Sequence, residues 1–351
     1  MWTTHMAETL SPSPARTVRT RSLALCGALV VANIGAWIWA LAAFRHHLDL
    51  LGICAIVYGL GLRHAIDADH ITAIDNVTRK MMQEEKQPVS VGFFFALGHS
   101  AIVILVTVVV AMAASSLGLF ERLQGVGRII STLVSASLLL AIAYMNIEIF
   151  RAIRRRSHSH RHGHRHASLA DGDDPLLAPT GPLSRIFRPV LRLVRHSWHM
   201  LPLGFLFGLG FDTATEVAMF GVSTAQASKG LGLSSVLVFP ILFTAGMSLI
   251  DTIDGVAMMH AYRWALITPD RRRLYNTVIT LTSAVTAGII GLVELVDLIG
   301  DTVQATGWLR DACEFVEAHV NAIGFGLLGI FAVAWLSSFL SSRGVWRRSR
   351  A

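Results

Sequence analysis

Eight stretches of this sequence are long and apolar enough to cross the hydrocarbon core of a bilayer as helices: residues 22–44, 50–76, 91–117, 127–150, 199–224, 232–259, 276–299 and 320–342. A spanning helix needs about 20 predominantly apolar residues, because every backbone N–H and C=O must find its partner inside the segment once water is gone. Over 351 residues the chain is 53% hydrophobic and only 15% charged, outside the range of ordinary soluble domains. The expected class is an all-α polytopic membrane protein with eight transmembrane helices. The first stretch follows three arginines and contains Ala40-Leu41-Ala42, which resembles a signal-peptide cleavage site. Its apolar run exceeds a usual signal core, so a retained helix is expected.

Basic residues are retained on the cytoplasmic side of a membrane, and their distribution sets the orientation. With the N-terminus inside, 24 of the 30 Lys and Arg fall in cytoplasmic segments, among them Arg79, Lys80 and Lys86 after the second stretch. Five fall in external loops, and Arg63 lies inside a span. The net charge of +7 therefore reads as topology rather than as a nucleic-acid surface. The expected place is the cytoplasmic (inner) membrane, crossed many times, with both termini cytoplasmic. Cys26, Cys54 and Cys313 have no paired spacing, so neither a disulfide framework nor a CxxC metal site is expected.

The one long connection divides the chain into an N-terminal half, residues 1–150 with spans 1 to 4, and a C-terminal half, residues 199–351 with spans 5 to 8. Between them, 151–198 forms a cytoplasmic His/Arg-rich loop. It contains HSHRHGHRH (158–166) and then Asp171, Asp173 and Asp174, a composition that cannot build a core. The tract either binds a transition metal loosely on the cytoplasmic side or is a solvated basic segment. The halves echo each other. Tyr58-Gly59-Leu60-Gly61 recurs as Phe207-Gly208-Leu209-Gly210, and Phe95-Ala96-Leu97-Gly98-His99-Ser100 as Phe243-Thr244-Ala245-Gly246-Met247-Ser248, with glycine separations of 37 and 36 residues. Either spans 2 and 3 and spans 5 and 6 form an inverted repeat, as in many secondary transporters, or the echo is coincidence among residues common in membrane helices.

Ionisable side chains in a span cost several kcal/mol unless they face a cavity or a partner. Here they cluster: Arg63, His64, Asp67, Asp69, His70 and Asp75 in span 2, His99 and Ser100 in span 3, Asp212, Thr213, Thr215 and Glu216 in span 5, and Asp251, Thr252 and Asp254 in span 6. On a continuous helix at about 100° per residue, His64, Asp67 and His70 share one face, Asp75 returns to the line of His64, and Asp69 points elsewhere, towards Arg63 or a neighbouring helix. Asp212 with Glu216 forms an i,i+4 pair, and Asp251 with Asp254 an i,i+3 pair. Imidazole nitrogens and carboxylate oxygens with few positive charges suit a borderline divalent cation, and the absence of thiolates argues against copper(I). A proton path uses the same residue types but does not require so many on four helices. Ion pairs and hydrogen bonds that only bridge helices are the alternative for any single residue.

RHAIDADHI (63–71), LGHS (97–100), LGFDTATE (209–216) and GMSLIDTID (246–254) together resemble the four signatures of the nickel/cobalt permease family, in order and each on its expected span. The resemblance implies an eight-span transporter for high-affinity uptake of Ni²⁺, Co²⁺ or both, with no cofactor and the metal ion as substrate. It implies His64, Asp67, Asp69 and His70 as the principal metal residues, followed by His99, Asp212, Thr213, Thr215, Glu216, Asp251 and Asp254. Asn146 in span 4 is similar to the family's polar position there. The His-rich tract departs from a plain family member and would also suit an exporter.

The expected mechanism is a hydrated ion that sheds water onto His64, Asp67, His70 and His99, closed in by the carboxylates of spans 5 and 6 as the halves rock around it. Neutral imidazole is the ligand form, so acid weakens binding. No GxxxxGK[ST] is present, in keeping with a secondary transporter. A nickel/cobalt efflux protein uses the same ligands. A membrane metalloenzyme is the more distant alternative, since HExxH and repeated HxxxH boxes are absent.

Overall fold

The computed structural model describes residues 14–303 apart from 85, 113–116, 160–193, 210–212 and 266–268, together with scattered positions between 307 and 333. Among the described residues every regular element is helical. In chain order these are α1 (Pro14–Phe44), α2 (Leu48–His64), α3 (Ala68–Gln83), α4 (Val91–Met112), α5 (Leu117–Ser159), a single 3-10 turn (Ser197–His199) leading into α6 (Met200–Phe207), α7 (Ala214–Ser228), the one-turn α8 (Leu233–Val236), α9 (Val238–Ala265) and α10 (Pro269–Val303).

Five segments are long and apolar enough to cross a membrane: Val18–Phe44, Val91–Val109, Ile129–Glu148, Leu233–Arg263 and Thr280–Ile299. α2 and α3, bent by 49° at their junction, together make a sixth. The chain is a helical, multi-pass membrane protein. Large apolar side chains such as Val31, Ile38, Ile56, Leu105 and Leu292 stay exposed on the outside of the bundle, as expected of surfaces that face lipid rather than water.

Two of the expected spans differ from a single rod. Residues 50–76 are interrupted at Ala65–Asp67, and 199–224 divides into α6 and α7. The stretch 320–342 and the tract 158–166 lie, wholly or largely, outside the described residues. The first interruption has a local cause. Asp67 takes an extended conformation (φ −68°, ψ 144°), and its Oδ1 accepts from the N–H of Ala68 at 3.0 Å. Asp offers the backbone a side-chain partner in place of the helical one, so it starts a helix better than it continues one. Removing an N-cap carboxylate costs about 1 kcal/mol, and Asn replaces it nearly as well. Asp67→Ala is therefore expected to lower the thermal unfolding midpoint of the purified protein and Asp67→Asn to restore most of it. Equal midpoints for all three forms would remove the capping role.

The helices approach at glycines. A Cβ on Gly61 would fall on the backbone of Phe243, and one on Gly246 would lie 2.8 Å from the carbonyl oxygen of Tyr58, so α2 and α9 touch backbone to backbone. α4 and α6 do the same where Gly98 meets Leu201 and Gly204 meets Phe95. Apolar side chains find no hydrophobic advantage in leaving lipid for one another, so close backbone packing at small residues is what holds such helices together. α5 and α10 pack along each other, with Gly291 against Leu139. The interior between these pairs contains Phe95, Phe239, Phe243, Leu139, Ile142 and Met247, all essentially fully buried. Lys80 and Lys86 donate to the carbonyls of Val194 and Arg195 at 2.8 and 2.9 Å and fasten the α3–α4 turn to the segment before α6.

Candidate metal centre

The interruption at Ala65–Asp67 places two histidines that a straight helix would have stacked. His64 is the last residue of α2 and His70 lies in the first turn of α3, so the bend folds one ring against the other at 4.6 Å between centroids. His99, halfway along α4, completes a triangle at 4.9 Å from each. One ligand atom of each histidine lies within 4.8 Å of the other two, and all three side chains are buried. This corrects the helical-wheel reading, in which His64, Asp67, His70 and Asp75 line one face of a continuous helix. His64 and His70 converge because the helix breaks.

α7 brings the carboxylate. Thr213 and Glu216 stand in the T-x-x-E order of a capping box, with Thr213 in the extended conformation of an N-cap (φ −73°, ψ 138°), yet Thr213 makes no side-chain capping bond to the helix. Its hydroxyl donates to Glu216 Oε2 at 2.9 Å instead. Glu216 Oε1 thereby sits 2.7 Å from His99 Nε2 and 3.9 Å from His64 Nε2, while the two Nε2 atoms are 3.1 Å apart. Ligand atoms about 2.1 Å from a first-row divalent ion, at angles of 90° to 110°, lie about 3.0–3.4 Å from one another. The sides of the His64–His99–Glu216 triangle, 2.7, 3.1 and 3.9 Å, bracket that range.

Two of the remaining ring nitrogens face partners behind them, whereas His99 Nδ1 is buried with none among the described residues. His64 Nδ1 faces Thr215 Oγ1 at 3.0 Å and Thr213 Oγ1 at 3.5 Å, and His70 Nδ1 faces both oxygens of Asp251 at 3.4 Å. A proton on Nδ1 leaves the lone pair on Nε2, the usual way in which a carboxylate or hydroxyl fixes the tautomer of a metal-binding imidazole. Nε2 of His70 is buried and without a hydrogen-bond partner among the described residues. A buried polar atom left in that condition is costly in protein, and here it lies among donor types that suit a divalent cation.

The other sequence candidates fall around this centre or away from it. Asp67 caps α3, and Asp69 Oδ1 accepts from the N–H of His70 at 2.7 Å, in the first turn where a negative charge suits the helix dipole. Asp69 therefore serves the backbone of its own helix rather than Arg63. Asp254 is one turn beyond Asp251 and does not touch the histidines. Asn146 is not at the centre either: its Nδ2 donates to Asn76 Oδ1 at 2.9 Å, and its Oδ1 accepts from Arg79. Asp212 lies outside the described residues. Arg79, counted above among loop cations, is buried within α3, where it also donates to Thr280 Oγ1 at 3.0 Å. Asn76, Thr280 and Ser283 had no motif to announce them. The only signal for that group was the polar character of α3 itself, a 16-residue helix with Asn, Thr and Arg on its buried side.

Membrane-length helices enclosing three imidazoles and a carboxylate define a polytopic membrane protein with a buried cluster of side chains that could hold a metal ion. The chain belongs to the NicO family, described as high-affinity nickel-transport protein, whose profile matches residues 50–341. It is a transporter and not an enzyme. It is 47% identical over 328 residues to the high-affinity nickel transport protein of Cupriavidus necator, covering 93% of this chain and 92% of that one. It is 38% identical over 322 residues to the nickel transporter NixA of Staphylococcus aureus, covering 90% of both. It is 34% identical over 335 residues to the cobalt transport protein NhlF of Rhodococcus rhodochrous, covering 93% of both. No solved structure matches the chain.

Proposed function

We propose that this protein takes up Ni²⁺, Co²⁺ or both across the cytoplasmic membrane as a secondary transporter, with His64, His70, His99 and Glu216 as the metal ligands. The observation that carries this reading is the convergence of those four side chains at two helix interruptions inside the bundle. Relatives named for nickel and for cobalt agree with it. Asp251, Thr213 and Thr215 orient the rings, Asp67 and Asp69 hold the start of α3 in place, and Asp212 belongs with them by its place in LGFDTATE. The eight-span layout extends the described helices by a span at 199–224 and another at 320–342. Both termini and the connection 151–198 lie in the cytoplasm, which the arginine distribution supports.

Residues 1–150 and 199–351 act as the two moving halves. Two features favour an inverted repeat. The α2–α9 and α4–α6 crossings each join an element of one half to the counterpart of its neighbour in the other. The interruption before Asp67 also has its match before Thr213. Ions enter from outside, lose water to the imidazoles, and leave when the halves rock. An inside-negative potential of 100 mV favours entry of a divalent ion by about 4.6 kcal/mol, roughly a thousandfold in concentration, without ATP.

Cells that express the protein are expected to accumulate radioactive nickel and cobalt above cells with an empty vector, each metal reducing uptake of the other. Accumulation below the empty-vector control would make the protein an exporter, and no difference for either metal would remove the reading.

A further inference from the structure

Beyond the histidines, deeper along α3 and α9, lies a second polar cluster that contains no imidazole. Two contacts in register, His70 with Asp251 and Ile74 with Gly255, show that these two helices run in parallel, which brings Asp75 and Asp254, each next in sequence to one of the second pair, to the same level. Asp75 is five residues past His70 and Asp254 three past Asp251, so the second pair stands about 5–8 Å further along. That direction leads to the end where Lys80 and Lys86 hold residues 194 and 195.

Asp75 and Asp254 are 1% and 8% exposed. Ser283 of α10 donates to Asp75 Oδ2 at 3.2 Å. Asp75 Oδ1 and Asp254 Oδ2, both buried, have no hydrogen-bond partner among the described residues. The neighbouring cation, Arg79, gives its hydrogen bonds to neutral oxygens, those of Thr280, Asn76 and Asn146. Two buried carboxylates thus share one region with an oxygen each to spare. Carboxylates taken out of water are tolerated when a cation joins them.

We propose that Asp75, Asp254 and Ser283 form a second, oxygen-lined divalent-cation site that takes the ion from the histidine centre on its way to the cytoplasm. The inference rests on the transport reading above. Late first-row ions are held less tightly by carboxylate and hydroxyl oxygens than by imidazole. Passing from nitrogen ligands to oxygen ligands therefore loosens the ion one step before release. Arg79, fixed beside Asp75 by Asn76, Asn146 and Thr280, places a positive charge next to the departing cation and favours its onward movement.

The test is the number of radioactive Ni²⁺ ions bound per chain at saturation by the purified full-length protein in lipid nanodiscs. Wild type is expected to bind two, one tightly and one weakly. Asp75→Asn, which keeps the shape and the bond to Ser283, and Asp254→Asn are each expected to bind one, with the tight affinity unchanged; that retained ion also certifies the fold. His70→Ala is expected to keep the weak ion and lose the tight one. A wild-type stoichiometry of one, or two ions still bound by Asp75→Asn, overturns the second site while leaving the first intact. Loss of both ions in Asp75→Asn and in Ser283→Ala makes the clusters a single site and also overturns it. No nickel bound by wild type overturns the transport reading itself.

Discussion

His64→Ala is expected to reduce nickel accumulation to the level of cells with an empty vector, at membrane amounts equal to wild type. His64 Nε2 faces His99 Nε2 at 3.1 Å and Glu216 Oε1 at 3.9 Å. It is also the ring at the very end of α2, so no neighbouring residue can take its position. Alanine removes one nitrogen ligand from the proposed set and leaves His99 and Glu216 to face a space that water reaches poorly. A useful contrast is Thr215→Ala. Thr215 would act on the ion through its partners, His64 Nδ1 at 3.0 Å and Thr213 Oγ1 at 3.4 Å, and partners of that kind typically contribute 10- to 100-fold in metal affinity. Thr215→Ala is therefore expected to raise the nickel concentration needed for half-maximal uptake by about that factor while saturable transport survives. Uptake kinetics with radioactive nickel separate the two patterns, and near-normal uptake by His64→Ala would take the metal centre away from α2.

How far the sequence led is best judged from RHAIDADHI. Its residue types state the chemistry: imidazoles and carboxylates, no thiolate, inside an apolar stretch. Its geometry was not legible, because no proline or glycine marks the interruption. The helix ends at His64 through the side-chain capping of Asp67 on Ala68, and Asp is as common on an exposed helix face as at a cap. Arg79 shows the reverse difficulty. Counting arginines near a span's end places it in a loop, whereas three neutral oxygens on α3, α5 and α10 hold it inside. Those partners are 3, 67 and 201 residues away in sequence, and only folding brings them together. The same distance in sequence hides the division of the carboxylates. Asp251 and Asp254 read as one i,i+3 pair, yet Asp251 backs His70 while Asp254 stands at the level of Asp75. The echoing glycines divide, since a Cβ on Gly59 would meet nothing within 4 Å. Gly61, Gly98 and Gly246 all sit where backbones meet, since a missing side chain is itself the geometric statement.

Gly98→Leu is expected to abolish both the folded protein and its transport. A Cβ at position 98 falls on the backbone carbonyl of Leu201, and its nearest neighbours are backbone atoms that no rotamer change can move aside. On α6, Gly204 meets Phe95 and His99 in the same manner, so the two helices interlock from both sides. Overpacking a core usually costs about 1–3 kcal/mol when side chains can shift; here the whole of α4 must move away from α6. His99 is the next residue, and its 2.7 Å contact with Glu216 does not survive such a shift. Even Gly98→Ala is expected to lose most of its activity. Gly52→Leu is the matched control, because a Cβ there meets nothing within 4 Å and extends into the surroundings of α2. The yield of monodisperse protein after detergent extraction, together with nickel uptake, decides the matter. Wild-type yield and uptake from Gly98→Leu would mean that α4 and α6 are not in backbone contact, and the position assigned to His99 would fall with them.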